Sequence, residues 1–484
     1  MRYRYSILLS ALLAGVPSVG MPGTVTKLTH QPPEPVESTF QLTDGTVLAY
    51  GFGHNWWKLT PDNVGSYLNG TWTQVAGLPA GYVPDAMAEG VLADGRVVVA
   101  GGEYNNGQFA FTNKSAIYDP LADTWTDITP PDSLIPFIGD SPATVLPDGR
   151  FVIGEKFKKK VFGFDPKTLI WSELPSTHKH DFNAEEGWTL LPDGSILTYD
   201  VKSHPQSERY LPDQGKWVDA GSTIVDLRGA ENCCGHCIPY GPKQKCYDPP
   251  GEVGAAILRP DGTVFATGSM PEGESRGHTS IYSPPSRLEA KGHWTPGPDF
   301  PVGDDSFDSP SALLPNGNVL VKSSRGYLYE FDGTTLTREL FFSGFPILMV
   351  LPTGGVLVDG SAVYQGTGNY RQSWAPTISE FPASVQRGST YKISGTQFNG
   401  LSQGSALGDE YESHTNYPLV RITNIASGHV FYARTHDHST MGVATGHTPV
   451  FTYFDVPANM ETGAGSLEVV ANGIPSKSVL VAVQ

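Results

Sequence analysis

Two His-x-His pairs, His178 with His180 and His436 with His438, set imidazoles two residues apart. In extended chain such residues face the same way, so either pair could reach one ion. Carboxylates recur at a steady offset. Glu37, Asp140, Glu185 with Glu186, Glu252 and Asp308 each stand seven to nine residues before an Asp-Gly or Asn-Gly dipeptide. Imidazole combined with carboxylate suits Zn, Mn, Fe or Cu, and hard cations take several carboxylate oxygens. His438, His436, His180, Asp308 and Glu185 therefore form the candidate set for a divalent transition metal. Glu37, Asp140, Glu186 and Glu252 extend it into a carboxylate ring. The competing reading is that each acid caps backbone N–H groups of its own strand and the histidines bond to backbone or solvent.

A second cluster is Cys233, Cys234, His236, Cys237 and Cys246, all within one stretch. It reads either as a Cys-rich zinc site or as two disulfides, with disulfides favoured in an exported chain because thiols oxidise there. Adjacent cysteines leave the pairing open. No nucleophile arrangement stands out, and the Gly-Gly pairs read as parts of strands rather than as a phosphate-binding glycine loop. Arg276, His278, Trp56 and Trp57 are expected in loops, to contact a sugar or aromatic compound or simply to pack.

The acids take their places from a repeated turn. Leu146-Pro147-Asp148-Gly149 returns as Leu191-Pro192-Asp193-Gly194, Arg259-Pro260-Asp261-Gly262 and Leu314-Pro315-Asn316-Gly317. Looser copies begin at Leu42, Leu92 and Leu351. Each lies between short apolar runs, a hairpin signal because the turn needs a positive φ that Gly accepts. Seven hairpins at this spacing predict a β-propeller, in which inner strands start near one end of a central channel. The acids would then ring its mouth.

After the hairpins come an aromatic before a turn and then Trp: Tyr118 and Trp125, Phe164 and Trp171, Tyr210 and Trp217, Tyr282 and Trp294. This order resembles the kelch repeat, with the aromatics filling the wedge between sheets. Residues 24–28 are expected to supply the strand that closes the ring. From Ala375 the pattern gives way to strands around Thr390–Ile393, Leu419–Ile422, Val450–Phe454 and Leu467–Val470, read as a small sandwich. The expected fold class is all-β: a seven-bladed kelch-type β-propeller over 21–374 and a C-terminal immunoglobulin-like β-sandwich over 375–484.

A propeller followed by a sandwich whose middle hairpin carries histidines resembles the galactose oxidase and glyoxal oxidase group, and Gly395–Gly400 adds to the likeness. The resemblance implies that a C-terminal loop enters the channel and places a histidine on copper. The matching stretch is Arg434–Met441, with His438 as the counterpart, expected to meet His180. The group's Tyr-His pair and its Tyr–Cys crosslink have no equivalents. Phe307-Asp308 and Gly344-Phe345 occupy the corresponding offsets, and no cysteine precedes a turn. A copper-radical mechanism is therefore not expected.

Arg2 and Arg4, the apolar run from Ile7 to Val16 and small residues through Gly20 read as a signal peptide over 1–20, hence a secreted chain without a membrane span. Asn69-Gly70-Thr71 and Asn113-Lys114-Ser115 are glycosylation sequons. The net charge of −17 argues against a nucleic-acid partner and favours neutral or cationic ligands. Function is expected to be that of an accessory or altered-chemistry enzyme acting on a sugar or small oxygenated metabolite, within a fungal secondary-metabolite pathway. The alternatives are a non-catalytic glycan-binding propeller and one that binds a protein partner.

Overall fold

The computed structural model describes residues 23–230, 251–344 and 347–484, and the backbone alone of 236–240 and 243–247. The expected signal peptide lies outside these residues, as do Cys233 and Cys234. Of Cys237 and Cys246 only the backbone is described, with the two opposite each other in a short antiparallel pair.

The chain is all-β, with two single-turn 3-10 helices among the described residues. Its first strands, Val36–Gln41, Ala88–Val91, Ala143–Val145, Thr189–Leu190, Val253–Leu258, Ser311–Leu313 and Leu348–Val350, each begin a small antiparallel sheet. Thr24–Lys27 pairs with Ala362–Gln365 and so gives the last sheet its fourth strand. Apart from the third and fourth sheets, neighbouring first strands also touch one another, and the last of them meets the first. Where the third and fourth sheets follow each other, Gln403 from the C-terminal region bridges them. Its amide oxygen accepts the Leu190 N–H at 2.7 Å, and its nitrogen donates to Thr144 Oγ1 at 2.8 Å.

The repeated turn forms the same way each time. Leu146 N–H bonds to Arg150 O and Gly149 N–H to Leu146 O, and six further copies repeat this pattern. The loop is three residues long, and its Gly takes a φ between 80° and 90° in all seven. The Asp or Asn before that Gly accepts the N–H two residues on, as Asp148 does from Arg150 at 3.0 Å. The aromatics are cross-strand partners: Tyr118 lies opposite Trp125, Phe164 opposite Trp171, Tyr210 opposite Trp217 and Tyr282 opposite Trp294. Three of these indoles tie their sheet to the preceding one, Trp125 through Ala76 O, Trp171 through Ile128 O and Trp294 through Ser207 Oγ. Trp56 and Trp57, expected in a loop, lie in the strand Trp56–Thr60, and Trp56 is buried against Trp125 with ring centres 4.6 Å apart.

The C-terminal strands form one nine-stranded sheet, eight of them along a single hydrogen-bonded path and Ile474–Pro475 pairing off it. Val430–His436 joins its halves. Residues 430–433 pair with Leu419–Asn424 on one side, and residues 434–436 pair with Val450–Asp455 on the other. Ile393 and Phe454 from one half meet Val420, Leu467 and Val481 from the other in a single apolar core. A strand that changes partners in this way lets one sheet enclose its own interior.

Replacing Gln403 by Ala leaves the Leu190 N–H and its other partners without a bond inside a buried junction. The expected cost is about 2–4 kcal/mol of unfolding free energy in urea. A loss below about 0.5 kcal/mol would show that the bridge is dispensable.

Candidate functional site: a buried carboxylate centre

Residues 402–417 thread the space between the first strands. Ser405–Ala406 pairs with Ser311–Ala312 of the sixth sheet. Gly408 then passes Gly187 so closely that a Cβ on Gly187 would meet Gly408 backbone atoms at 3.0–3.2 Å. Tyr411 sits in the left-handed region at φ 49°. Its hydroxyl accepts the Ala86 N–H and meets Glu37, with Asp85 at 3.0 Å. Ser413 N–H donates to Glu89 at 3.0 Å, and Tyr417 donates to Gln41 O.

The threading segment is thus 402–417 and not Arg434–Met441, which corrects the expectation drawn from the resemblance. His438 lies at the opposite, turn end. Its N–H bonds to Ala93 O, its Nδ1 to Thr452 Oγ1 at 2.8 Å, and its ring stacks on Tyr417. Burial pushes His438 down to about 3, so the ring is neutral. Both nitrogens of His436 are occupied, by Asp437 at 2.8 Å and Asp455 at 3.3 Å. His180 is 65% exposed beside Asp200, at the acid end. These histidines share no partner, because the strand carrying His436 docks beneath the turns while the acids stand at the strand starts.

The carboxylates do converge. Lys156, wholly buried, reaches Asp140 and, at 3.0 Å, Glu185, with Asp409 at 4.0 Å. Oxygens of Asp140, Glu185 and Asp409 lie within 4.8 Å of one another. The half-buried Glu103, Glu252, Asp308 and Glu410 lie near enough for their charges to act on this cluster. Burial raises Asp140 and Asp409 well above the usual carboxylate range, against the pull of Lys156. Burial first, then the charge of Glu185, holds Asp308 up to about 7. Burial first, then the charge of Asp85, pushes Glu37 up to about 9.

Glu186 departs from the expected ring. It turns outward to Lys179, which bonds Glu186 at 2.9 Å and Glu208 at 2.8 Å over the Trp217 ring. The expected loop residue His278 is clamped between Asp299 and Glu274 at 2.7 and 2.6 Å. Of the sequon residues, Asn69 is exposed. The Asn113 amide donates to Pro130 O, Asp132 and Ile135 O.

Asp85, Glu103, Lys156, Asp409 and Glu410 went unread in the sequence. Asp85 had a signal, since it stands nine residues before Asp94, within the offset that picked out the other acids. Lys156 had none, because it heads a basic run, Lys156 to Lys160, that looks like a solvated turn.

Raised acids make stability depend on pH. Burial holds Glu37 up to about 9, Glu89 up to about 8 and Asp200 up to about 7 in the fold. Their contribution is complete below the unfolded carboxylate value and is lost as pH rises through those values. His438 and His414, each pushed down to about 3 by burial, act in the opposite sense but only below about 6.5. From pH 6.5 to 8 the unfolding free energy is therefore expected to fall by about 2–4 kcal/mol. Urea titrations across that range check this, and a flat or rising profile would contradict it.

No family model matches the chain, and no curated protein sequence matches it. Among solved structures, a fungal alcohol oxidase of the AA5 family in complex with copper aligns over 96% of this chain and 100% of its own length, at 11% identity and a TM-score of 0.51. Virginiamycin B lyase from Staphylococcus aureus covers 72% of this chain and 99% of its own at 12% identity and a TM-score of 0.43. Hydrazine synthase from Kuenenia stuttgartiensis covers 70% and 98% at 14% identity and 0.44. The likeness to the oxidase is one of fold. The donors at this chain's centre do not fit an imidazole-ligated copper, since they are carboxylate oxygens around an ammonium, and the buried His414 is turned to Gln403 and Glu412. The small antiparallel sheets resemble those of the oxidase, and the buried centre described above is built from carboxylates and a lysine.

Proposed function

We propose that the chain is a secreted, seven-bladed kelch-type β-propeller over residues 21–374, preceded by an export signal and followed by an immunoglobulin-like β-sandwich over 375–484. It acts on a sugar or small oxygenated metabolite by chemistry other than copper-radical oxidation, as an accessory or altered enzyme of a secondary-metabolite pathway. Supporting the architecture are the seven small sheets, the last of whose first strands meets the first, and the fold likeness to the AA5 oxidase.

One observation carries the function. Half-buried Glu103, Glu252, Asp308 and Glu410 surround a deeper floor of Asp140, Glu185, Asp409 and Lys156. Such a rim offers many hydrogen-bond acceptors at close quarters, the complement of a ligand rich in hydroxyl donors. The strongly acidic surroundings disfavour anionic ligands. The same rim would serve a binding module that holds glycan without turnover.

The test is a screen of neutral sugars and polyols for binding and for product, with wild type beside Asp308→Asn and Glu103→Gln. A neutral polyhydroxylated ligand is expected to bind, with affinity or kcat/KM reduced about tenfold in each variant, near 1.4 kcal/mol. Retention without product would select the binding module. Failure of every polyhydroxylated compound to bind would reject both forms of the proposal.

A further inference from the structure

The floor of the carboxylate centre carries more negative charge than its lysine offsets. Three carboxylates, Asp140, Glu185 and Asp409, face the ammonium of Lys156 among the described residues, and all four side chains are buried. Ionised, they leave two negative charges in a place where water cannot screen them. The convergence of the acids would not by itself define a site. The independent observation is the state of Asp409, which is only 5% exposed. Its Oδ2 is sealed from solvent with no hydrogen-bond donor, and Lys156 Nζ stands off at 4.0 Å. Asp140 Oδ1 is likewise sealed and without a donor. A buried acceptor left in that condition is costly and points to a missing partner.

We infer that Asp140, Glu185 and Asp409 bind one hard divalent cation, Ca2+ in preference to Mg2+, beside Lys156. A doubly charged ion brings the three carboxylates and the ammonium to neutrality. The ligand oxygens lie within 4.8 Å of one another, close enough to share one ion, and a floor this buried suits Ca2+ over Mg2+, which dehydrates reluctantly and keeps several waters. An oxygen-only donor set selects hard ions over copper or zinc. The inference uses the same carboxylate centre as the proposed function but needs no substrate, so each can fail without the other.

The test is calorimetric titration of the chelator-stripped full chain with CaCl2, MgCl2 and MnCl2, alongside melting curves. Wild type is expected to take up one Ca2+ and to melt higher in its presence, with Mg2+ weaker. Asp409→Asn is expected to weaken Ca2+ binding by about tenfold or more, while the exposed Asp437→Asn at the turn end leaves it unchanged. If Asp409→Asn does not fold, Asp140→Asn takes its place. Wild type that shows neither heat nor a melting shift up to about 10 mM Ca2+, above the range of weak extracellular sites, would overturn the inference. So would a folded Asp409→Asn that binds as tightly as wild type.

Discussion

The constraint on which the rest of this molecule depends is that an ammonium and several carboxylates are held out of water at one point. Removing either sign of charge from solvent alone is prohibitive, and the attraction between them offsets that cost only when geometry holds them together. Lys156 comes from the turn after the strand Phe151–Gly154, Asp140 and Glu185 from the starts of the third and fourth sheets, and Asp409 from a segment more than two hundred residues later. The centre therefore exists only when the sheets and the threading segment are all in place. It couples the C-terminal strands to the ring more tightly than surface contacts would.

The two ends of the first strands divide the work. At one end, seven nearly identical turns fix the strands and give the C-terminal sheet something regular to dock on, as when Thr435 N–H bonds to Thr43 O and Met441 N–H to Pro147 O. At the other end, the chain is free to vary what it offers to the centre, and it offers acids. Lys179 with Glu186 and Glu208 repeats the same solution beside the fourth sheet. Buried ion pairs of this kind are poor sources of net stability, because the desolvation of both charges offsets most of their attraction.

The recurring turns and aromatic pairs were legible because they depend on short-range rules: a Gly at positive φ, an acid two residues before a bonded N–H, a Trp opposite an aromatic. The acids before the turns were legible for the same reason, as an offset along one strand. What could not be read were juxtapositions made by distant segments. Arg434–Met441 carried the histidines and so looked like the threading loop, yet the Gly-Ser-Ala-Leu-Gly stretch from Gly404 to Gly408, unremarkable in sequence, is what fits the narrow passage beside Gly187. Glu185 and Glu186 are neighbours with the same apparent role, but Glu185 takes φ 57° and faces Lys156 while Glu186 faces Lys179.

The account stands on Lys156 as the charge that lets these carboxylates be buried together. The most direct measurement is the unfolding free energy of Lys156→Met against wild type at neutral pH, without divalent ions. Methionine keeps much of the volume and removes the charge. A loss of about 3–5 kcal/mol, the scale of breaking a buried pair from one side, is the predicted result. A variant within about 0.5 kcal/mol of wild type would contradict it and would mean that the acids need no counter-charge to fold.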